Sequence, residues 1–163
     1  MRKAIAILVL MLVSALAAVA QTPQFMEVYD RALSRFDRSA DTDDTSLRTS
    51  EFSGRMLRSI LPDKACDSDH LVNRIEAIRQ IKFSGPTHID LYERLRKVAE
   101  SEPYERITIM NIDNETVYVY TAPYKKTESE FLIFITKGEA RLACDIVGDI
   151  TLDDVTNLLF GRN

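Results

Sequence analysis

Cys66, Asp67, Asp69 and His70 set four metal-binding side chains within five residues, a density that could hold zinc or another divalent cation. A closed zinc site needs a second ligand pair, and His88, the other histidine, stands alone near a helix start. The segment therefore reads as a solvated polar loop, and no metal is assigned. Asp41, Asp43 and Asp44 echo the opening of a calcium loop. Ser46 stands where that loop turns on glycine, and Phe52 where it takes a bidentate glutamate, so the match fails. Acyl transfer finds no Gly-x-Ser-x-Gly elbow and no familiar cysteine–histidine setting. Glycoside-type chemistry needs two carboxylates converging across a cleft, and none of the 25 acidic residues is singled out for it. Five unclustered glycines offer no phosphate-cradling loop. Asn114-Glu115-Thr116 has the form of a glycosylation acceptor and reads more simply as a hairpin turn. No catalytic residue and no cofactor emerges.

Recognition is the other chemistry on offer. Tyr118 and Tyr120 share one face of a strand, and Tyr124 follows just past Pro123. Tyrosine suits a partner surface because it couples a large apolar area to a polar tip. Cross-strand packing, or cover beneath a helix, explains the same pattern, so both readings stand. The two cysteines differ in setting. Cys144 alternates with Leu142 and Ile146 and should be buried, whereas Cys66 lies in a polar loop between Pro62 and His70. They would form one disulfide only if folding brings their Cα atoms within about 6 Å, and the alternative is a buried thiol plus an unrelated loop cysteine.

The elements that must position these residues are legible from periodicity. Thr22-Pro23 opens a helix in which Phe25, Val28, Tyr29, Ala32, Leu33 and Phe36 make one apolar stripe. Residues 39–50 are polar and aperiodic and read as a loop entering a short extended piece. Ser53 caps a short helix with Met56, Leu57, Ile60 and Leu61 on its apolar face, ended by Pro62. A helical turn near Leu71 gives way to a strand from about Ala77 to Ser84. Thr87 and Asp90 form a capping box for a helix to about Ser101, striped by Leu91, Tyr92, Leu95, Val98 and Ala99. Four strands follow: Arg106 to Ile112, with Ile107 and Ile109 on one face; Thr116 to Ala122, with Val117 and Val119 opposite Tyr118 and Tyr120; Glu130 to Thr136, apolar enough for a central strand; and Ala140 to Val147. Gly148 ends the sheet, and Thr151 with Asp154 caps a last helix carrying Leu152, Val155, Leu158 and Leu159. Short turns make the last four strands antiparallel neighbours. The predicted class is α+β: an antiparallel or mixed sheet of about 4–6 strands with helices packed mainly on one face.

The first twenty residues carry an address. Arg2 and Lys3, an apolar run from Ala4 to Leu16, and Ala18-Val19-Ala20 make a cleavable secretory signal over residues 1–20, leaving 21–163 as one domain. The apolar run falls short of the roughly 20 residues that span a bilayer. No cysteine stands at the cleavage point, so neither a lipid nor a membrane anchor is expected after cleavage, and the product is periplasmic or secreted. Cleavage removes two basic residues and no acid, taking the net charge from −4 to −6. Scattered basic residues in an acidic chain argue against nucleic acid as a partner.

Several segments together resemble the DUF4252 family, exported Bacteroidetes domains of unknown function. They are Ser53-Gly54-Arg55-Met56-Leu57, Ile75 to Phe83 leading to Tyr92-Glu93-Arg94-Leu95, and Glu130-Phe131-Leu132-Ile133 through Ala143-Cys144-Asp145-Ile146-Val147-Gly148-Asp149-Ile150 to Leu158. The resemblance implies an exported α+β domain, with at most an envelope-stress or signalling context, and supplies no catalytic residue. The functional expectation is a non-enzymatic binding or protein-interaction module whose partner is an envelope protein or a small ligand. The alternative is a hydrolase or other periplasmic enzyme with an unrecognised active site.

Overall fold

The computed structural model describes residues 23–39, 46–60, 71–112 and 114–160. In chain order the elements are α1 (Pro23–Ser39), β1 (Leu47–Ser53), α2 (Gly54–Ile60), α3 (Leu71–Arg74), β2 (Ile75–Ser84) and α4 (Ile89–Ala99). They continue with β3 (Glu105–Ile112), β4 (Glu115–Pro123), β5 (Ser129–Lys137), β6 (Ala140–Gly148) and α5 (Leu152–Phe160). The strands form one six-stranded sheet, ordered β1-β2-β6-β5-β4-β3, with every neighbouring pair antiparallel. The α+β class is as the strand spacing predicts. β5 and β6 lie well inside the sheet, which explains the continuous apolar run from Phe131 to Phe134.

Strand alternation sends side chains to two separate cores. On the first face Ile81, Phe83, Tyr120, Leu132, Phe134 and Ala143 pack beneath Phe25, Tyr29 and Ala32 of α1 and Leu91, Leu95 and Ala99 of α4. On the second face Val117, Val119, Phe131, Ile133, Cys144 and Ile146 gather with Val155 of α5, and Leu57 and Leu71 bring in α2 and α3. The two long helices thus share one face and three short helices pack at the other, so the helices divide between both faces rather than packing mainly on one. Some predicted stripe residues lie outside both cores: Leu33 is 39% exposed, Met56 49% and Leu158 46%.

Local chemistry explains most boundaries. Ser53 Oγ accepts the Met56 amide at 3.2 Å, the cap expected for α2. Thr151 and Asp154 form a reciprocal box, Thr151 N–H donating to Asp154 Oδ2 at 2.8 Å and Asp154 N–H to Thr151 Oγ1 at 3.2 Å. The box predicted for Thr87 and Asp90 is not made. Helix α4 starts at Ile89 after His88, which gives no side-chain cap. The Asp90 carboxylate is instead held by Arg35 of α1 through two hydrogen bonds of 3.0 Å, a stronger, charge-assisted partner. β1 also begins earlier than the polar reading of residues 39–50 suggested, because Leu47 is wholly buried opposite Phe83.

One crossing point admits only glycine. A Cβ on Gly54 would lie 2.2 Å from the Ile75 carbonyl oxygen, and one on Gly148 2.2 Å from that of Arg74. The ends of β1 and β6 therefore press on consecutive peptides where α3 becomes β2.

Candidate functional site

The tyrosines do share a strand face, and that face is the one beneath α4. Tyr120 is 2% exposed, with its ring edge-on to Phe134 at 5.9 Å. Burial raises the pKa of its hydroxyl. Tyr118 is half-buried and lies under the Arg96 guanidinium, 5.3 Å from the ring centroid. Tyr124 sits at the opposite end of β4, roughly 20 Å along the strand from Tyr118 by the rise per residue. There its hydroxyl donates to Glu76 at 3.4 Å, and Lys125 Nζ lies 4.8 Å over its ring. Lys125 also pairs with Glu76, whose carboxyl is held below its ordinary value chiefly by that hydrogen bond. The three tyrosines thus serve a core, a helix contact and a charged turn.

Periodicity alone missed a buried polar layer on the same first face. Asp145 and Glu130 are both 0% exposed. Arg79, only 12% exposed, reaches Asp145 at 3.3 Å and Glu51 of β1 at 2.9 Å. The Tyr104 hydroxyl donates to Glu130 at 2.8 Å, and that of Tyr29 to the Ser50 carbonyl at 3.2 Å. The available signal was an acid at the inward phase of an apolar strand: Asp145 alternates with Ala143 and Val147, which are buried on its own face. Such a layer fixes strand register and helix seating, since each misplacement would strand a charge.

Cys144 is buried in the second core, as its alternation predicted. Burial pushes its thiol up from 9.0 to about 12. Cys66 lies outside the described residues, as do the Cys66–His70 cluster and Asp41 to Asp44. Tyr29 is likewise pushed up to about 12, by burial first and by Glu51 second. Both groups ionise more readily in the unfolded chain. Their contribution to stability is therefore complete below their ordinary values and drains away as pH rises toward the folded ones. Melting temperature should hold up to about pH 9, then fall toward about pH 11, with a shallower fall in Cys144→Ala. A scan in which the fall is absent, or untouched by the substitution, would refute this origin.

Two exposed large apolar residues lie close together on one sheet edge. β3 is terminal, and it carries Ile107 at 37% and Ile109 at 46% exposure. A bulge between Arg106 and Thr108 puts Ile109 opposite Tyr118 on the first face, while Met110 pairs with Val117 on the second. Ile107 falls in the bulge, so it does not continue the face of Ile109 in the simple alternation expected. The other edge, β1, differs in kind. It shows Arg48 and Glu51 to solvent, and α1 leans on it through the Tyr29–Ser50 hydrogen bond. Charges and helix cover are the usual protection of an edge strand, and among the described residues β3 has only its bulge and the Glu105–Arg106 start.

Residues 40–158 match the family model described as a domain of unknown function, DUF4252. Neither a curated protein nor a solved structure matches the chain.

Proposed function

The chain belongs to the DUF4252 family, and from that premise we propose that it acts outside the cytoplasm as a non-catalytic protein-interaction module whose contact surface is the β3 edge. The observation that carries this reading is the combination of a terminal strand, unpaired along one side among the described residues, with Ile107 and Ile109, two large apolar side chains more than a third exposed. A sheet edge of this kind takes up an extended partner segment: main-chain hydrogen bonds supply affinity and alternate side chains supply selectivity. Tyr118 extends the apolar strip inward, and Arg96 clamps it in place. This assigns Tyr118 a supporting part at the surface; Tyr120 and Tyr124 contribute through the core and the charged turn. The export signal read at residues 1–20 supports a location in the periplasm or beyond.

A photo-crosslinking residue at position 109, in full-length protein expressed in its native cells, tests the reading. Position 94, on the exposed side of α4, is the control. A discrete protein adduct at 109 and none at 94 is the expected result; equal labelling at both, or none at 109, overturns it. The same mass spectra should show a chain beginning at Gln21, and one beginning at Met1 would refute export with cleavage.

A further inference from the structure

Among the described residues, the second face of the sheet is covered along only part of its length. Helices α2, α3 and α5 pack near the ends of the strands that meet at Ser129 and Gly148, where Ile75, Phe131 and Ile146 are buried. Toward the Lys137–Ala140 turn no described helix overlies it. One row of side chains crosses the sheet there in register: Arg48, Lys82, Leu142, Ile135, Val117, Met110. Leu142, Ile135 and Met110 are only half-buried, although Leu142 and Ile135 lie on the two central strands. Arg48 and Lys82 stand directly opposite each other on neighbouring strands, both exposed. Among the described residues neither side chain has an ion pair or hydrogen bond. Like charges so placed repel, and a sheet that keeps them gains when an anion arrives. Beside them lies a concavity of about 440 Å³, floored by Ile135 and Leu142, with Lys82 on one rim and the Lys137–Glu115 ion pair (2.7 Å) on the other.

The chain already shows what this face accepts. At its covered end α5 lays Leu152 and Val155 on the sheet and turns Asp154 to Arg74, which grips it at 2.8 and 2.9 Å. That is an acidic amphipathic helix seated with apolar residues on the strands and a carboxylate on a guanidinium. The other end repeats the receiving half of the arrangement: apolar strand residues flanked by Arg48 and Lys82, which hold no acid among the described residues. A shallow sheet surface suits a polypeptide better than a small molecule, which is usually enclosed by its site. We infer that the Arg48–Lys82–Leu142–Ile135 surface docks an acidic amphipathic helix of a partner protein, parallel in chemistry to the way α5 docks on the same face. This surface is separate from the β3 edge and stands or falls independently of it.

The probe is a stapled helical peptide with leucines at i, i+3, i+4 and i+7 and glutamates flanking that stripe, added to the intact domain. Amide shift mapping and fluorescence anisotropy are the readouts. Binding should saturate with shifts centred on residues 48, 82, 135 and 142, and weaken with added salt. A lysine-for-glutamate peptide should bind about tenfold more weakly. Lys82→Glu, an exposed substitution, should reverse the preference between the two peptides, and Lys82→Gln should blunt it. Lack of binding, shifts that map elsewhere, or a preference unmoved by Lys82→Glu would overturn the proposal. So would dodecanoate giving the same shifts at lower concentration, or self-association of the domain abolished by Lys82→Glu. Those outcomes would assign the surface to a fatty acid or to a second copy.

Discussion

Phe134→Ala should cost the domain about 3–5 kcal/mol, the range for emptying a buried aromatic site. Phe134 is 1% exposed at the centre of β5, and the Tyr92 and Tyr120 rings meet it edge-on at 5.8 and 5.9 Å. Tyr92 in turn lies edge-on to Phe83 at 5.6 Å and hydrogen-bonds Thr136 at 3.0 Å, so the cluster joins α4 to three strands, β2, β4 and β5. Removing the central ring leaves a void bounded by rings already fixed by other contacts, which cannot collapse into it. Phe134→Leu, which keeps most of the volume, should cost under about 2 kcal/mol. Urea titrations of the three proteins decide the matter: the midpoint should fall steeply for alanine and mildly for leucine, with the slope preserved. A loss below about 1 kcal/mol for alanine would mean that the cluster is loosely packed.

Arg79→Ala should be comparably damaging, by about 3–5 kcal/mol, through a different mechanism. The substitution removes the guanidinium that bridges Asp145 and Glu51 and strips a wholly buried carboxylate of its countercharge. On a domain of this size that corresponds to roughly 10–15 °C in melting temperature. The diagnostic variant is the double substitution Arg79→Met with Asp145→Leu. It removes both charges and should recover most of the loss, since apolar residues of similar volume often replace a buried pair at little cost. If the double variant were as unstable as Arg79→Ala, packing rather than charge would be the cause.

The sequence made the sheet more legible than the polar layer, for physical reasons. Strand alternation is a strong signal, and Val117 and Val119 against Tyr118 and Tyr120 separated into two cores as their phase required. Capping chemistry was legible where it is local, at Ser53 and at Thr151 with Asp154. It misled at Thr87 because the carboxylate of Asp90 found Arg35, 55 residues away in sequence. The same distance problem hid the Arg79–Asp145 pair, whose partners are 66 residues apart. The role of tyrosine depends on what lies above the strand. Periodicity could place Tyr120 on a face but could not say that α4 covers it. The edge status of β3 was equally hidden, because it follows from strand order, which puts the first strand after α4 at the rim.

Strand order also dictates when the fold can be finished. β1 and β2 form one antiparallel pair, connected through α2 and α3, and β3 to β6 run as a meander, but the two parts join only where β2 pairs with β6. A chain emerging N-terminus first, from a ribosome or through a translocation pore, therefore holds two unfinished ribbons until residues 140–148 arrive. Until then the inner edges of β2 and β5 lie open, and the apolar faces of α1 and α4 have only part of a floor. β6 is the keystone: a chain cut before Ala140 becomes two unconnected pieces of sheet, not a smaller version of the domain. Completion is vectorial, and the last strand to appear is the one that makes it a single sheet.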